Sequence, residues 1–331
     1  MLRAQQWNSQ IWLNGWWKAS VSRGGDAKRA LLTKVFTHNL DIFRDGAYRT
    51  ESDRVVTLPV SGTFVDESEM FSAPIVLPDQ CEIGDSPLFH ILPKRGKGDC
   101  PQFHIQVLNQ DCILATRDLV EQGYNPAVLN MASLYHPGGG VLQGSSAQEE
   151  DLCRRSTLAI SLYQFSLPGG RYGDLADMVG VKRRAERYPM DNTYGGIYSP
   201  GITFFRATKD EGYALLDNTF QAAVISVASL NYNPKHGHNQ LDNGNIPEVD
   251  KPVLKEKIRT ILRIGALKGH DSLVLGALGC GAFCTPPAQM ARLFREVMAE
   301  TQFLGRFRKI VFAIIDGASS NNYIPFKKEL M

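Results

Sequence analysis

Apolar residues along the 331-residue chain fall into blocks whose spacing switches between helical and extended periods. Leu31, Leu32, Val35, Phe36, Leu40 and Phe43 recur at helical spacing and predict an amphipathic helix over 27–44, with Lys28, Arg29 and Lys34 outward. Val55, Val56, Leu58 and Val60 predict a strand within 53–65, and the polar, Pro/Gly/Asp-rich 66–102 reads as a surface insert near 62–102. Alternation over 103–108 predicts a strand, and 110–122 a helix that starts at Asp111 and stops at Gly123. A buried strand follows over 126–132, then a helix from about 148 to 164 with Leu152, Leu158 and Leu162 inward. Further strands are expected at 202–206, 222–228, 272–278 and 310–315, and helices at 251–268 and 288–301, with a loop at 231–250 and a glycine-rich, basic segment at 169–195. Strands alternating with helices predict a three-layer α/β/α sandwich with a central sheet.

The two most apolar strand blocks each run into bare backbone. After 126–132 come Pro137 and Gly138, Gly139 and Gly140, and seven residues later Gln148, Glu149 and Glu150 open a helix. After 272–278 come Gly279, Cys280, Gly281, Ala282 and Phe283. Glycine amides wrap an anion closely because no Cβ stands in the way. Two such strand–glycine loop–helix units at sheet ends would flank one crevice, as expected of a diphosphate site. Carboxylates at a helix start are stabilised by the helix dipole, and adjacent helical residues point about 100° apart. Only one of Glu149 and Glu150 can therefore face a given ligand, and the other must brace something. An anion cradle beside one aimed carboxylate suits chemistry on a phosphorylated sugar. The bland alternative is a plain turn followed by a solvated first helical turn.

Bulk properties narrow the field. A hydrophobic content of 43% sustains a buried core, and 36 basic against 34 acidic residues give no mandate for sequence-specific nucleic acid or an acidic membrane. No run approaches the roughly 18–20 apolar residues of a membrane helix, and no signal peptide is visible, so an intracellular protein is expected. The six cysteines form no CxxC pair and read as reduced thiols. Cys280 and Cys284 have no histidine nearby to generate a thiolate, and His236 and His238 have no carboxylate spaced to complete a metal site. Neither metal nor cofactor is expected. Lys182, Arg183, Arg184 and Arg187 form a basic run that is either a solvated face or a surface steering a polyanion. All four tryptophans fall in the first seventeen residues. Residues 1–24 read as an aromatic arm, docked on its own domain or presented to a partner.

These motifs resemble those of a known family. Pro-Gly-Gly-Gly, seven residues, then Gln-Glu-Glu is similar to the signature of poly(ADP-ribose) glycohydrolases. The segments LNMAS, EEDLCRRS, GIYSPGITFFR, SLVLGALGCGAFCTPP and FRKIVFAIID resemble the microbial branch over roughly 25–320. The resemblance implies a macrodomain-like fold with a mixed sheet, spanning 25–331, that binds ADP-ribose between the two glycine loops. It implies hydrolysis of ribose–ribose O-glycosidic bonds from chain ends, releasing ADP-ribose, by a monomer. Glu150 would be the catalytic acid and later the base, and Glu149 would orient the ribose. Asn130 and Ser133 would line that ribose, Gln148 would support the loop, and Gly138 to Gly140, Gly279, Gly281 and Ala282 would line the substrate. Phe283 would pack on the ribose or serve only as a core aromatic. His136 departs from the small or polar residue expected there. Alternatives are a mono-ADP-ribosyl hydrolase acting on modified protein or nucleic acid, and a non-catalytic ADP-ribose-binding module.

Overall fold

A computed structural model describes residues 5–60, 63–78, 104–316 and 321–331. In chain order the described elements begin with β1 (Gln5–Gln6), α1 (Ser9–Val21), α2 (Gly25–Asp45), β2 (Ala47–Arg49), β3 (Val55–Thr57), α3 (Thr63–Asp66) and β4 (Glu69–Phe71). They continue with β5 (His104–Leu108), α4 (Cys112–Glu121), β6 (Pro126–Met131), α5 (Gln148–Arg155), α6 (Leu158–Tyr163), α7 (Gly170–Met178), β7 (Gly196–Arg206) and β8 (Leu215–Val227). The last are α8 (Lys251–Leu267), β9 (Ser272–Leu275), α9 (Pro287–Met298), β10 (Lys309–Ala313) and α10 (Tyr323–Leu330).

Seven strands form one mixed sheet in the order β4-β7-β8-β6-β9-β10-β5, and β1, β2 and β3 form a small second sheet. Strands β5, β10, β9 and β6 are parallel, with Lys309 opposite both His104 and Ser272, and Ser272 opposite Pro126. Strands β7 and β8 are antiparallel, and their register shifts between Ser199 and Ile202, where Gly201 adopts a positive φ of 55°. The parallel strands β6 and β9 are almost wholly buried, which explains their continuous apolar runs. This is the mixed α/β, macrodomain-like architecture that the motifs imply.

The chain divides into two compact units. The first comprises the segment up to Met70, Asn130–Met190 and Ile197–Ser226. In it α2 buries Leu32, Val35, Phe36, Leu40 and Phe43 along one face, and ends where Gly46 turns left-handed and donates to the Ile42 carbonyl. Helix α1 packs on α2, with the Trp12 indole donating to the Leu31 carbonyl at 3.0 Å. Arg206 is buried, donating to Asn39 Oδ1 at 2.7 Å and the Tyr213 carbonyl at 2.8 Å, with its guanidinium 4.7 Å from the Trp7 ring. The second unit comprises Phe71–Leu129, Asp191–Gly196 and Val227–Met331. There Asp111 caps α4 through the amides of Ile113 and Leu114, and Phe294, Phe312 and Phe326 form an aromatic cluster under α9 and α10.

Several expected elements differ. The helix expected over 148–164 is two helices. Ser156 is extended (φ −147°, ψ 176°) and bridges to Phe204, while the Thr157 amide donates to Thr203, so the strand captures the backbone between α5 and α6. The strand expected within 53–65 is only Val55–Thr57, and it belongs to the small sheet. Within the expected insert, Glu69–Phe71 is an edge strand of the main sheet, and residues 79–103 lie outside the described residues. The glycine-rich segment 169–195, for which no element is expected, contains α7. In the basic run, Arg183 binds Asp177 and the Gly173 carbonyl, Arg184 reaches Gln164 and the Val65 and Asp66 carbonyls, and Arg187 reaches the Gln164 carbonyl, while Lys182 is exposed. Helix α10 is new; its Pro325 reads as a breaker but sits in the first turn, where its missing N–H costs nothing. Among the described residues, no helix is long and apolar enough to cross a membrane.

Candidate active site

Strand β6 delivers Asn130 and Met131 to its carboxyl end, and the chain returns to the same place at the start of α5. Gln148 ties the two together, its Oε1 accepting from the Met131 amide at 2.8 Å. Helix α5 carries Glu149, Glu150 and Asp151 in its first turn and Arg154 and Arg155 in its last, a charge order that matches the helix dipole at both ends.

The three acids point to three different places. Glu149 is only 3% exposed; its Oε2 accepts from the Ser133 amide at 2.7 Å and its Oε1 from Asn130 Nδ2 at 3.3 Å. Asn130 Nδ2 also donates to Ser226 Oγ at 3.0 Å, fixing the amide. Glu150 is 7% exposed; its Oε1 accepts from the Gly140 amide at 2.8 Å, and its buried Oε2 has no hydrogen-bond partner among the described residues. Asp151 turns away, accepting from Tyr213 Oη at 2.9 Å and from Arg155 Nη1 at 2.9 Å. One glutamate is thus held by the protein through both oxygens, and its neighbour keeps one oxygen uncommitted. Burial first, then the Glu150 carboxylate, pushes the Glu149 carboxyl up to about 8, against the pull of its hydrogen bonds from Ser133, Asn130 and Gly138.

The glycine turn is shaped by these carboxylates. Gly138 and Gly139 adopt φ of 75° and 56°, the left-handed region that glycine occupies without strain. A Cβ on Gly139 would lie 2.5 Å from Glu150 Oε1 and 2.8 Å from Glu149 Oε2, so the bare Cα is what admits both side chains. A Cβ on Gly140 would strike Ser145 Oγ at 2.3 Å, and one on Gly144 the Arg29 carbonyl oxygen at 2.2 Å. The loop is pinned from outside as well: Thr33 Oγ1 donates to the Leu142 carbonyl, and Arg154 bridges the Leu32 and Ser145 carbonyls.

Tyr172, on α7, is a part of this site that the sequence does not announce. Its hydroxyl donates to the Gly139 carbonyl at 2.8 Å, and its ring stacks on His136 with centroids 5.5 Å apart. His136, unexpected by sequence, is thus one half of a ring pair beside the turn. Tyr172 lies in a segment with no strong period, 33 residues from its partner, so no sequence signal could have found it.

The second glycine loop belongs to the other unit. Gly279 has φ of 74°, and a Cβ there would lie 2.5 Å from Ser229 Oγ and 2.6 Å from Thr285 Oγ1, whereas Gly281 faces open space. Gly281 and Ala282 are exposed and Phe283 is half-buried, its carbonyl accepting from the Tyr232 amide. Burial pushes the Cys280 thiol well up, and Cys153, beneath Gly138, likewise, so neither offers a thiolate. His236 and His238 lie in the 231–250 loop, and the described residues contain no His/Cys/Asp/Glu group that could hold a metal ion.

Comparison with known proteins points in one direction. Residues 37–207 match the family described as microbial-type PARG, catalytic domain, where PARG denotes poly(ADP-ribose) glycohydrolase. The poly(ADP-ribose) glycohydrolase of Thermomonospora curvata is 28% identical, with 90% of this chain and 99% of that chain covered at a TM-score of 0.66. The same enzyme bound to the inhibitor ADP-HPD gives 27% identity over the same shares at 0.65. The Deinococcus radiodurans enzyme in complex with ADP-ribose is 28% identical, with 81% and 95% covered at 0.55. No curated protein matches. The matched segment runs through the Gly138–Gly140 turn and the Gln148–Glu150 triplet, and by it this chain belongs to the microbial-type poly(ADP-ribose) glycohydrolase catalytic-domain family.

Proposed function

We propose that this protein hydrolyses the ribose–ribose O-glycosidic bonds of poly(ADP-ribose) from chain ends, releasing ADP-ribose, with Glu150 as the reacting carboxyl. The observation that carries this assignment is the unequal state of the two buried glutamates. Glu149 is saturated by the protein, whereas Glu150 presents a buried oxygen with no protein partner.

Cleavage requires a proton on the departing ribose hydroxyl as positive charge grows at the anomeric carbon. Glu150 gives that proton, then takes one from the water that attacks the oxocarbenium-like centre. Glu149, held through both oxygens by Asn130 and Ser133, orients the ribose beside the reacting carboxyl. Asn130 and Ser133 hold Glu149 and line the ribose, Gln148 fixes the start of α5, and Gly138, Gly139 and Gly140 line the substrate. We take Gly279, Gly281, Ala282 and Phe283 as a second substrate-binding loop in their own unit. The complexes of the relatives with ADP-ribose and ADP-HPD support ADP-ribose as the group recognised. We take residues 25–331 as the catalytic domain, 1–24 as its arm, and the protein as an intracellular monomer.

The test is incubation with poly(ADP-ribose), reading released ADP-ribose, for the wild type and Glu150→Gln. Wild type releases ADP-ribose. Glu150→Gln loses at least about 10³-fold in rate, within the range removed with a general acid, and keeps ADP-ribose affinity within a few-fold. A fully active Glu150→Gln protein would take the residue out of the reaction. An inactive wild type that still binds ADP-ribose would turn the assignment to mono-ADP-ribosyl bonds.

A further inference from the structure

The peptide unit between Gly139 and Gly140 is held at both ends by side chains. Its N–H, on Gly140, donates to Glu150 Oε1 at 2.8 Å, and its C=O, on Gly139, accepts from Tyr172 Oη at 2.8 Å. The backbone on either side is fixed by the loop itself. The Gly139 amide donates to the His136 carbonyl, and the Gly140 carbonyl accepts from the Gln143 and Ser145 amides. Two adjacent glycines set no side-chain barrier against rotation of the peptide plane between them. A rotated plane would withdraw the N–H from Glu150 and turn a carbonyl oxygen toward its carboxyl. The plane is therefore set by its end contacts, and Tyr172 supplies one of them from 33 residues away.

Tyr172 is itself firmly placed. Its ring stacks on His136 with an interplanar angle of 18°, and its centroid lies 6.2 Å from that of the buried Tyr163 ring. Helix α7 buries Leu175 and Ala176, and Arg183 ties it down by donating to the Gly173 carbonyl at 2.8 Å and to Asp177 Oδ2 at 2.6 Å. A Cβ on Gly173 would lie 2.7 Å from the Leu167 carbonyl oxygen, so bare backbone beside Tyr172 lets α7 sit this close. A hydroxyl donating to a carbonyl also polarises the amide and strengthens donation by the N–H at its other end. The Tyr172 hydroxyl thus orients and strengthens the bond that anchors Glu150 Oε1, and that anchor aims the uncommitted Oε2.

We propose that Tyr172 is a positioning residue for hydrolysis, acting through the Gly139–Gly140 peptide to hold the Glu150 carboxyl in its reactive orientation. The proposal rests on the assignment of Glu150 as the reacting carboxyl. It brings α7 into the hydrolytic apparatus through one hydroxyl.

The experiment compares wild type with Tyr172→Phe, which removes the hydroxyl and keeps the ring between His136 and Tyr163. The side chain is half-buried and the change adds no volume, so the fold is expected to hold, and circular dichroism checks it. In substrate-free protein labelled so that NMR sees only glycine–glycine amides, the Gly140 N–H proton should move upfield as its bond to Glu150 weakens. With poly(ADP-ribose), kcat for ADP-ribose release should fall about three- to tenfold, as loss of one ordinary hydrogen bond implies, while KM stays within about twofold. A Gly140 amide at its wild-type position, or an unchanged kcat, in the folded variant overturns the positioning role. So does a KM that rises as kcat falls, which marks a general loosening of the site. A wild type that releases no ADP-ribose overturns instead the hydrolase assignment, whatever the Gly140 resonance shows.

Discussion

At the scale of single residues, the turn before α5 is built around what Gly139 lacks. The sequence suggested that bare amides approach phosphate. The structure adds that the space over Gly139 is occupied by Glu149 and Glu150. Both carboxylates are pinned by backbone amides, so neither can yield cheaply to a Cβ. Gly139→Ala also forces an L residue into left-handed backbone, a cost of about 1–2 kcal/mol. The expected outcome is a protein that still folds but loses at least about 100-fold in ADP-ribose release, measured beside its thermal midpoint; wild-type turnover would show that the carboxylates need not stay where they are. Residue-level chemistry was largely legible, because the glycines and the acidic triplet lie close together in sequence. Their division of labour was not, because it depends on the Ser133 and Gly140 amides and on Asn130.

At the scale of elements, α5 is a short helix of eight residues whose hold comes from outside. Asn39 donates to the Arg154 carbonyl at 2.7 Å, Arg154 reaches back to Leu32, and Asp151 is gripped by Tyr213, on whose ring Trp12 stands edge-on at 5.1 Å. The N-terminal helix thus reaches α5 through two side chains. Tyr213→Phe removes one hydrogen bond to a charged acceptor, a loss of about 1.5–3 kcal/mol. We expect a lower thermal midpoint and a kcat reduced several-fold, with KM little changed; identical kcat in the variant would show that α5 is held without this contact. Periodicity found α2, α4, α8 and α9 within a few residues, since each buries one regular stripe. It missed the break at Ser156 and the strand Glu69–Phe71, because both are fixed by distant strands rather than by local pattern. It missed α7 and α10 because both are short and carry glycine or proline.

At the scale of the whole molecule, two titratable groups, half-buried His38 and buried Glu149, pull stability in opposite directions with pH. His38 is pushed down to about 4, first by burial and then by Arg206, so the fold loses stability as pH falls from about 6.5 toward 4. Glu149 is pushed up from 4.5 to about 8, so the unfolded chain releases that proton first and stability is lost as pH rises across that interval. The thermal midpoint of Glu149→Gln relative to wild type should therefore rise steadily between about pH 4.5 and 8, at up to about 1.4 kcal/mol per pH unit. A difference independent of pH would show that Glu149 is ionised in the folded protein. The order in which the sheet closes has a consequence for synthesis. Strand β5 pairs with β10, His104 against Lys309, in the same register that joins β10 to β9. At about 5–20 residues per second, the ribosome takes roughly 10–40 s to travel between those two partners. Every segment of the first unit has been made by Ser226, while β5 must wait for a neighbour that has not yet been translated. For that interval the nascent chain carries the β5 sequence without the only strand it pairs with among the described residues, the kind of unpaired edge that invites association with other chains.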